Sequence, residues 1–570
     1  IKRIDEFAST SPQCIAGSMR HEVLQHEEPV GVERRKHCVI QLTTFWRGIN
    51  GQLSSWLLGH QDADFSRQSA HWQNLKSRAS TARAVRPARG GRCYNRSKRG
   101  IPAMKIIHGS WLIALAALVA CSASNSEEDT IDLIVYGDTV VTMNADMRII
   151  ENGAVAIDAG VILAVDTAAT IDADYSARQT LDGTRRIVMP GLINGHSHAA
   201  MTLLRGLADD LALMDWLQNY IFPAEVAFVD AEFVRIGTEL ACWEMIRGGT
   251  TSFVDMYYYP DTIATVVESC GMRALVSATV IDQRSPDAES ADDGLGKAIG
   301  FIERWLGRHP RITPIFGPHA NYTLNAEQLA ATRLAASELG VPVSIHLSES
   351  PYEIQYARET YGKTSIEMLD DIGFFDGPTI AAHVVWPTEA EIPILAERQV
   401  GVIHNPTSNM KIASGIAPIA DMLAAGVRVG LGTDGAASNN DLDMWEEMRL
   451  ASLLQKVDRM DPEVLPAETV LRMATSGGAM AIGLGDTIGS LEPGKRADLI
   501  QVAFDDVHHV PTYDVVSHLV YVNDEQDVAS TIVDGKVLMQ DGRMLTIDTA
   551  RVREEAAALA AAIARQLALR

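Results

Sequence analysis

The chain has 570 residues, 47% hydrophobic and 21% charged, which reads as a soluble globular protein with room for one large α/β domain and additional parts. Its formal net charge of −24 argues against a nucleic-acid partner, which needs a basic face. Residues 1–103 carry 17 Lys+Arg against 8 Asp+Glu, leaving 32 of the 49 basic and 65 of the 73 acidic residues to the remainder.

So abrupt a shift marks a boundary. Residues 1–103 begin with Ile, show no sustained helical or strand period and end in the basic run RAVRPARGGRCYNRSKRG. They read as a non-native upstream translation or as a disordered basic segment; a nucleic-acid-binding arm would have the same composition. Residues 104–120, from MKIIHGSWLIALAALVA, have a Met, a Lys, a short apolar stretch and then small residues, as a secretory signal does. The apolar stretch Trp111–Ala120 is far short of the ~20 residues of a spanning helix. LVAC resembles a bacterial lipobox, so Cys121 is the expected lipid anchor and 121–130 the tether. The expected location is the periplasmic face of a bacterial membrane, with the cytoplasm as the alternative. Cys242 and Cys270, the two cysteines beyond the anchor, have no C-x-x-C spacing and read as core residues without a disulfide framework.

Short strands punctuated by Gly and Asp fill 131–189, and the same texture returns over 487–546. Two such flanks can form one β-domain around a central insertion. Within 190–486 eight strand candidates alternate with helical patterns, beginning with IVMPGLINGHSH (187–198). NAEQLAATRLAASELG predicts a helix with Asn325 as N-cap and Gly340 as stop, and TEAEIPILAERQ a helix opened by a capping box, Thr388 to Glu391. Residues 547–570 read as an Ala-rich amphipathic helix. The order predicts a (β/α)8 barrel, with a doubly wound sheet as rival.

Polar residues recur where these strands end: His196 and His198, His319, His346 with Glu349, His383, and Asp434. Side chains two apart on a strand share a face, so His196 and His198 can meet one ion. Any one buried His is more often a hydrogen-bonded core residue, but five at equivalent strand ends form a ligand pattern. Three imidazoles and a carboxylate suit zinc, or iron, better than magnesium or calcium. Such an ion brings the pKa of bound water toward ~7. Glu349 is then placed for proton transfer.

PGLINGHSHAAMTLLRG, GPH, IHLSE, AAHVVW, HNPTSNMKIASGIAPI and LGTDGAASNN resemble the amidohydrolase superfamily. The closer likeness is to its branch of 5-methylthioadenosine/S-adenosylhomocysteine deaminases and triazine chlorohydrolases. It covers residues 131–550. The resemblance implies a barrel inserted into a composite β-sandwich built from both flanks. It implies one divalent metal on His196, His198, His346 and Asp434, since strand four ends in GPHANY without the Lys of two-metal relatives. Asp434 would accept the proton of the attacking water, His383 would orient that water, and Glu349 would protonate the ring nitrogen beside the attacked carbon. Attack by metal-bound hydroxide would release ammonia from an adenine nucleoside: methylthioadenosine, adenosine or S-adenosylhomocysteine. Glu225 would contact ribose, His319 would lie against the nucleoside, and Trp216 would wall the pocket. Without the resemblance, Glu225 reads equally as an exposed carboxylate at a helix start, and Trp216 as core. The branch's carboxylate-binding Arg is replaced by Ser277-Ala278-Thr279, with Arg284 nearest, which favours methylthioadenosine or adenosine over S-adenosylhomocysteine. Rival readings are a triazine or guanine aminohydrolase or chlorohydrolase, and a binding lipoprotein without chemistry. A homo-oligomer is compatible with all of them.

Overall fold

A computed structural model describes residues 130–567. The basic segment, the signal-like stretch, the tether and the expected anchor Cys121 lie outside the described residues. Among the described residues no helix is long and apolar enough to cross a membrane.

The first flank supplies β1 (Thr130–Val141), β2 (Ile149–Asp158), β3 (Val161–Thr167), β4 (Ser176–Leu181) and β5 (Arg186–Pro190). The barrel strands follow: β6 (Leu192–Ser197), β7 (Thr250–Tyr257), β8 (Arg273–Val280), β9 (Ile312–Pro318), β10 (Val343–Leu347), β11 (Thr379–His383), β12 (Gly401–His404) and β13 (Arg428–Leu431). They pair in parallel, in sequence order, and a bridge between Ser197 and Asp434 joins the first strand to the segment after the last. Helices cover the outside, so these strands are buried on both faces and read as near-continuous apolar runs. Inside, Ile193, Val254, Leu275, Ile315, Ile380 and Ile403 form one layer, capped by Ala479, Ala481 and Ile482. With the barrel floor filled by hydrocarbon, the polar residues collect at the C-terminal ends of the strands.

The second flank returns as β14 (Leu499–Ala503), β15 (Val528–Val533), β16 (Lys536–Gln540) and β17 (Arg543–Met544). β14 lies antiparallel to β5, Leu499 opposite Pro190 and Ala503 opposite Arg186, so both flanks join in one nine-stranded mixed sheet. β1 pairs with β4 through its first half and with β5 through Thr139 and Val140. The two limbs of the sheet share a core of Leu133, Ile157, Leu181, Val188, Leu499 and Ile532. This is the composite β-domain expected from the flanks. Arg273 of β8 reaches into it, donating to both oxygens of the buried Asp498 at 2.6 and 3.1 Å.

Two local readings change. The apolar run 187–198 is not one strand: β5 belongs to the composite sheet and β6 to the barrel, with Gly191 between them. Thr251 packs so close to Gly191 that a Cβ there would overlap it. The helix expected from Thr388 is Ile392–Glu397, with Glu391 itself at the cap. One Glu391 oxygen accepts from the Thr388 backbone N–H at 2.6 Å, and the other takes the Thr364 hydroxyl, so Glu391 ties two segments together. The helix Ala326–Leu339 does carry the expected Asn325 cap, and Thr549–Leu567 is the expected terminal helix.

Candidate active site

β6 carries His196 at its fifth position and delivers His198 just past its end. His346 lies on β10, His383 ends β11, and Asp434 follows β13. The register aligns Leu347 with His383, so neighbouring strands end at one level. Ser348, His383, Val384 and Asp434 all have φ between 45° and 75°. Such backbone is costly for a non-glycine residue and above all for β-branched Val384. The strand ends are thereby bent to aim polar side chains at the barrel axis.

The aim converges. One donor atom from each of His196, His198, His346 and Asp434 lies within 4.8 Å of the others. Asp434 Oδ1 is 3.1 Å from His198 Nε2 and 3.4 Å from His196 Nε2. His198 Nδ1 is 2.5 Å from the Met256 carbonyl oxygen, and His346 Nδ1 is 2.9 Å from that of His319. A carbonyl oxygen only accepts, so both Nδ1 atoms carry a proton and the Nε2 atoms are the ones turned into the cluster. Those Nε2 atoms face each other at 3.3 Å. Nitrogens so close need a proton or a cation between them. Both ring nitrogens of buried His196 also lack a hydrogen-bond partner. The donor set therefore fits a divalent ion that takes nitrogen ligands, and the backbone carbonyls act as the outer shell that fixes the tautomers.

Electrostatics divide the imidazoles. Burial pushes His196 down to about 4 and His346 well below the usual imidazole range, so both rings are neutral. Burial would lower His198 too, but the facing Asp434 carboxylate raises it to about 9, so a cation bound there would displace the proton of its Nε2. Burial alone would raise the Asp434 carboxyl, but the facing His196 and His198 rings hold it well below the carboxylate range. Its Oδ2 accepts from the Ser408 and Ser438 hydroxyls at 2.7 and 2.9 Å.

His198, His346 and Asp434 line a cavity, together with His319, Glu349 and His383 among others. Glu349 is 3% exposed, its Oε1 is 3.9 Å from His383 Nε2, and burial pushes it up to about 7. His383 Nδ1 is 2.9 Å from Asn409 Oδ1, and its Nε2 has no hydrogen-bond partner. Glu353, at the start of the helix Pro351–Tyr361, accepts from the backbone N–H groups of Ser348 and Glu349 at 2.8 and 2.9 Å and so sets the bend that carries Glu349.

The substrate candidates also reach this cavity. Glu225 is not an exposed helix-start carboxylate: it is 4% exposed, accepts from the Tyr258 hydroxyl at 3.4 Å and is pushed by burial up to about 7. His319 lines the cavity with Nδ1 2.9 Å from Thr323 Oγ1, and burial pushes it down to about 3. Trp216 belongs both to the wall and to the hydrophobic core. Arg284 does not line the cavity; it is largely exposed, 3.5 Å from Glu289. Sequence reasoning missed Asn409, Ser408, Ser438, Glu353 and Tyr258. Asn409 and Ser408 stand inside the quoted HNPTSN run, which was the available signal. A second cluster, His508, His509 and Asp527, lies outside the cavity. There His509 Nδ1 accepts the Asp506 N–H at 3.2 Å, and its Nε2 meets the Asn523 amide nitrogen at 2.9 Å and Asp527 Oδ2 at 3.5 Å, so both ring nitrogens have partners within the protein.

Residues 187–538 match the amidohydrolase family. The chain is 46% identical over 423 residues to a 5-methylthioadenosine/S-adenosylhomocysteine deaminase of Syntrophobacter fumaroxidans, covering 74% of this chain and 96% of that protein. It is 46% identical over 426 residues to a 5'-deoxyadenosine deaminase of Methanosarcina mazei, covering 75% and 96%. The solved structure of an adenosine deaminase from Xanthomonas campestris with bound zinc superposes with a TM-score of 0.75 at 39% identity, covering 77% of this chain and 99% of that one. The barrel, the converging strand ends and the extent of these matches make the chain a member of the amidohydrolase family.

Proposed function

We propose that this protein is a metal-dependent hydrolytic deaminase that releases ammonia from adenine nucleosides. The observation that carries the reading is Glu349: a buried carboxyl, proton-bearing near neutrality, set beside His383 in a cavity that three of the four candidate metal donors also line. The names of the relatives support the nucleoside class.

In this reading His196, His198, His346 and Asp434 hold the ion, taken to be zinc, which supplies Lewis acidity and brings the pKa of bound water toward ~7. Asp434 receives the proton of the attacking water, and His383, held by Asn409, orients that water. Glu349 gives its proton to the ring nitrogen next to the carbon bearing the amino group, which makes that carbon electrophilic. The water oxygen adds, Asp434 passes its proton to the amino group, which departs as ammonia, and the proton of the added hydroxyl returns to Glu349, leaving the hypoxanthine form. Glu225 accepts hydrogen bonds from the sugar hydroxyls, and neutral His319 and Trp216 pack against the nucleoside.

The pocket chemistry favours a small, uncharged 5' group. Leu213, Leu217, Ile221 and Phe222 line the cavity, and among the described residues its lining contains no Lys or Arg. The test is ammonia release by the full, zinc-loaded chain from adenosine, 5'-deoxyadenosine, methylthioadenosine, S-adenosylhomocysteine, guanine and melamine. Turnover of the first three, with S-adenosylhomocysteine at least ~10-fold poorer in kcat/KM, is the expected result. Turnover of guanine or melamine alone would discard the substrate class.

A further inference from the structure

Two buried thiols unused by this chemistry lie against each other. Cys242 sits on the helix Ala231–Arg247 and Cys270 ends the helix Pro260–Cys270; both are free and buried. Their sulfurs are 2.8 Å apart, closer than two unbonded sulfurs rest. The Cys270 thiol also makes a long 3.5 Å contact to the Val267 carbonyl oxygen, so no strong competing acceptor holds it. Reaching the ~2.04 Å of a disulfide needs a sulfur movement of less than about 1 Å.

We propose that Cys242 and Cys270 become joined by a disulfide when the chain folds in the presence of a disulfide oxidant. One cysteine thiolate attacks the oxidant and displaces a thiolate, giving a mixed disulfide. The second thiolate then attacks the protein sulfur of that bond, forms the Cys242–Cys270 bond and releases the other half of the oxidant. The two cysteines lose two protons and two electrons, and one oxidant disulfide becomes two thiols. Burial pushes the Cys242 thiol well above its usual range, which makes the packed protein a poor substrate for exchange. The exchange therefore belongs to folding, before the two helices close. The first of these helices also braces the metal site, since the Gly237 carbonyl oxygen accepts from the Thr202 hydroxyl at 2.8 Å, four residues beyond His198. A bond between positions 28 apart closes a loop long enough to raise Tm by about 5 °C in a protein of this size.

The full chain is unfolded in guanidinium and refolded with either glutathione disulfide or dithiothreitol, then denatured, alkylated and mapped by peptide mass. The expected result is a linked peptide pair containing Cys242 and Cys270 after oxidative refolding, alkylation of both after reductive refolding, and a Tm about 5 °C higher for the linked protein. Cys270→Ser removes the linked pair and the Tm difference. Recovery of both residues alkylated after oxidative refolding, or linked to Cys14, Cys38, Cys93 or Cys121 instead of to each other, overturns the proposal.

Discussion

His198 and His346 bring their Nε2 atoms to 3.3 Å from each other, while a backbone carbonyl oxygen holds a proton of each ring on the far nitrogen. A cation held between them binds the folded donor set and not the unfolded chain, so it stabilises the fold. Dialysis against a chelator is therefore expected to lower Tm, and added zinc to restore it. A thousandfold excess of ion over its Kd corresponds to about 4 kcal/mol. Identical melting curves with and without the ion, alongside one tightly bound zinc per chain, would contradict the argument.

Glu349 sets the alkaline side of the pH profile. Burial places its pKa at about 7, and its role requires the protonated form. As pH rises through about 7 the reactive fraction shrinks, so kcat/KM falls toward tenfold per unit. Glu349→Gln keeps the shape but cannot release a proton, and kcat should drop ~10²–10⁴-fold with KM little changed. A flat profile up to pH 9 in the parent protein would remove Glu349 from proton transfer.

Glu225 is assigned to the sugar, so its loss should be felt in binding. Above pH 7, where Glu225 is mostly ionised, Glu225→Gln removes a charged acceptor worth ~1.5–3 kcal/mol, which raises KM for adenosine about 10–150-fold. The same variant should treat 2',3'-dideoxyadenosine almost as the parent does. Equal losses on both nucleosides would show that Glu225 supports the fold instead.

Asp498 joins the barrel to the composite sheet through Arg273. Asp498→Ala leaves a buried guanidinium without its bidentate partner and should cost about 3–5 kcal/mol in guanidinium unfolding. Arg273→Met together with Asp498→Leu should recover most of it. A single-variant loss below ~1 kcal/mol would mean that water or Asp534, 3.3 Å from Arg273, takes over.

Much of this site was legible because a parallel barrel turns sequence into position. His196, His198, His346, His383 and Asp434 each follow an apolar strand run, and the strand ends share one rim. Their partners were not legible. Whether Asn409 meets His383, or Ser408 and Ser438 meet Asp434, depends on how separate loops fold over the rim, and no local period encodes that. Glu225 shows the same limit: its helix-start position suits an exposed carboxylate, and burial against Tyr258 comes from tertiary packing alone. The run 187–198 misled because hydrophobic periodicity does not report which sheet a strand joins. Only Gly191, pressed against Thr251, marks the change of sheet.

The pairing of β5 with β14 has a consequence for biosynthesis. Arg185 and Asp505, at the outer end of this pairing, are 320 positions apart in the chain. A growing polypeptide therefore displays the open edge of β5 until nearly its last strands have been made, and no stretch of local sequence can close that edge earlier. A chain cut between Asp434 and β14 would retain every one of the four candidate metal donors and still expose an unpaired strand. Such fragments should accumulate as aggregates, and the segment from β14 onward, remote from the chemistry, would tolerate premature stops as poorly as the donor codons tolerate substitution.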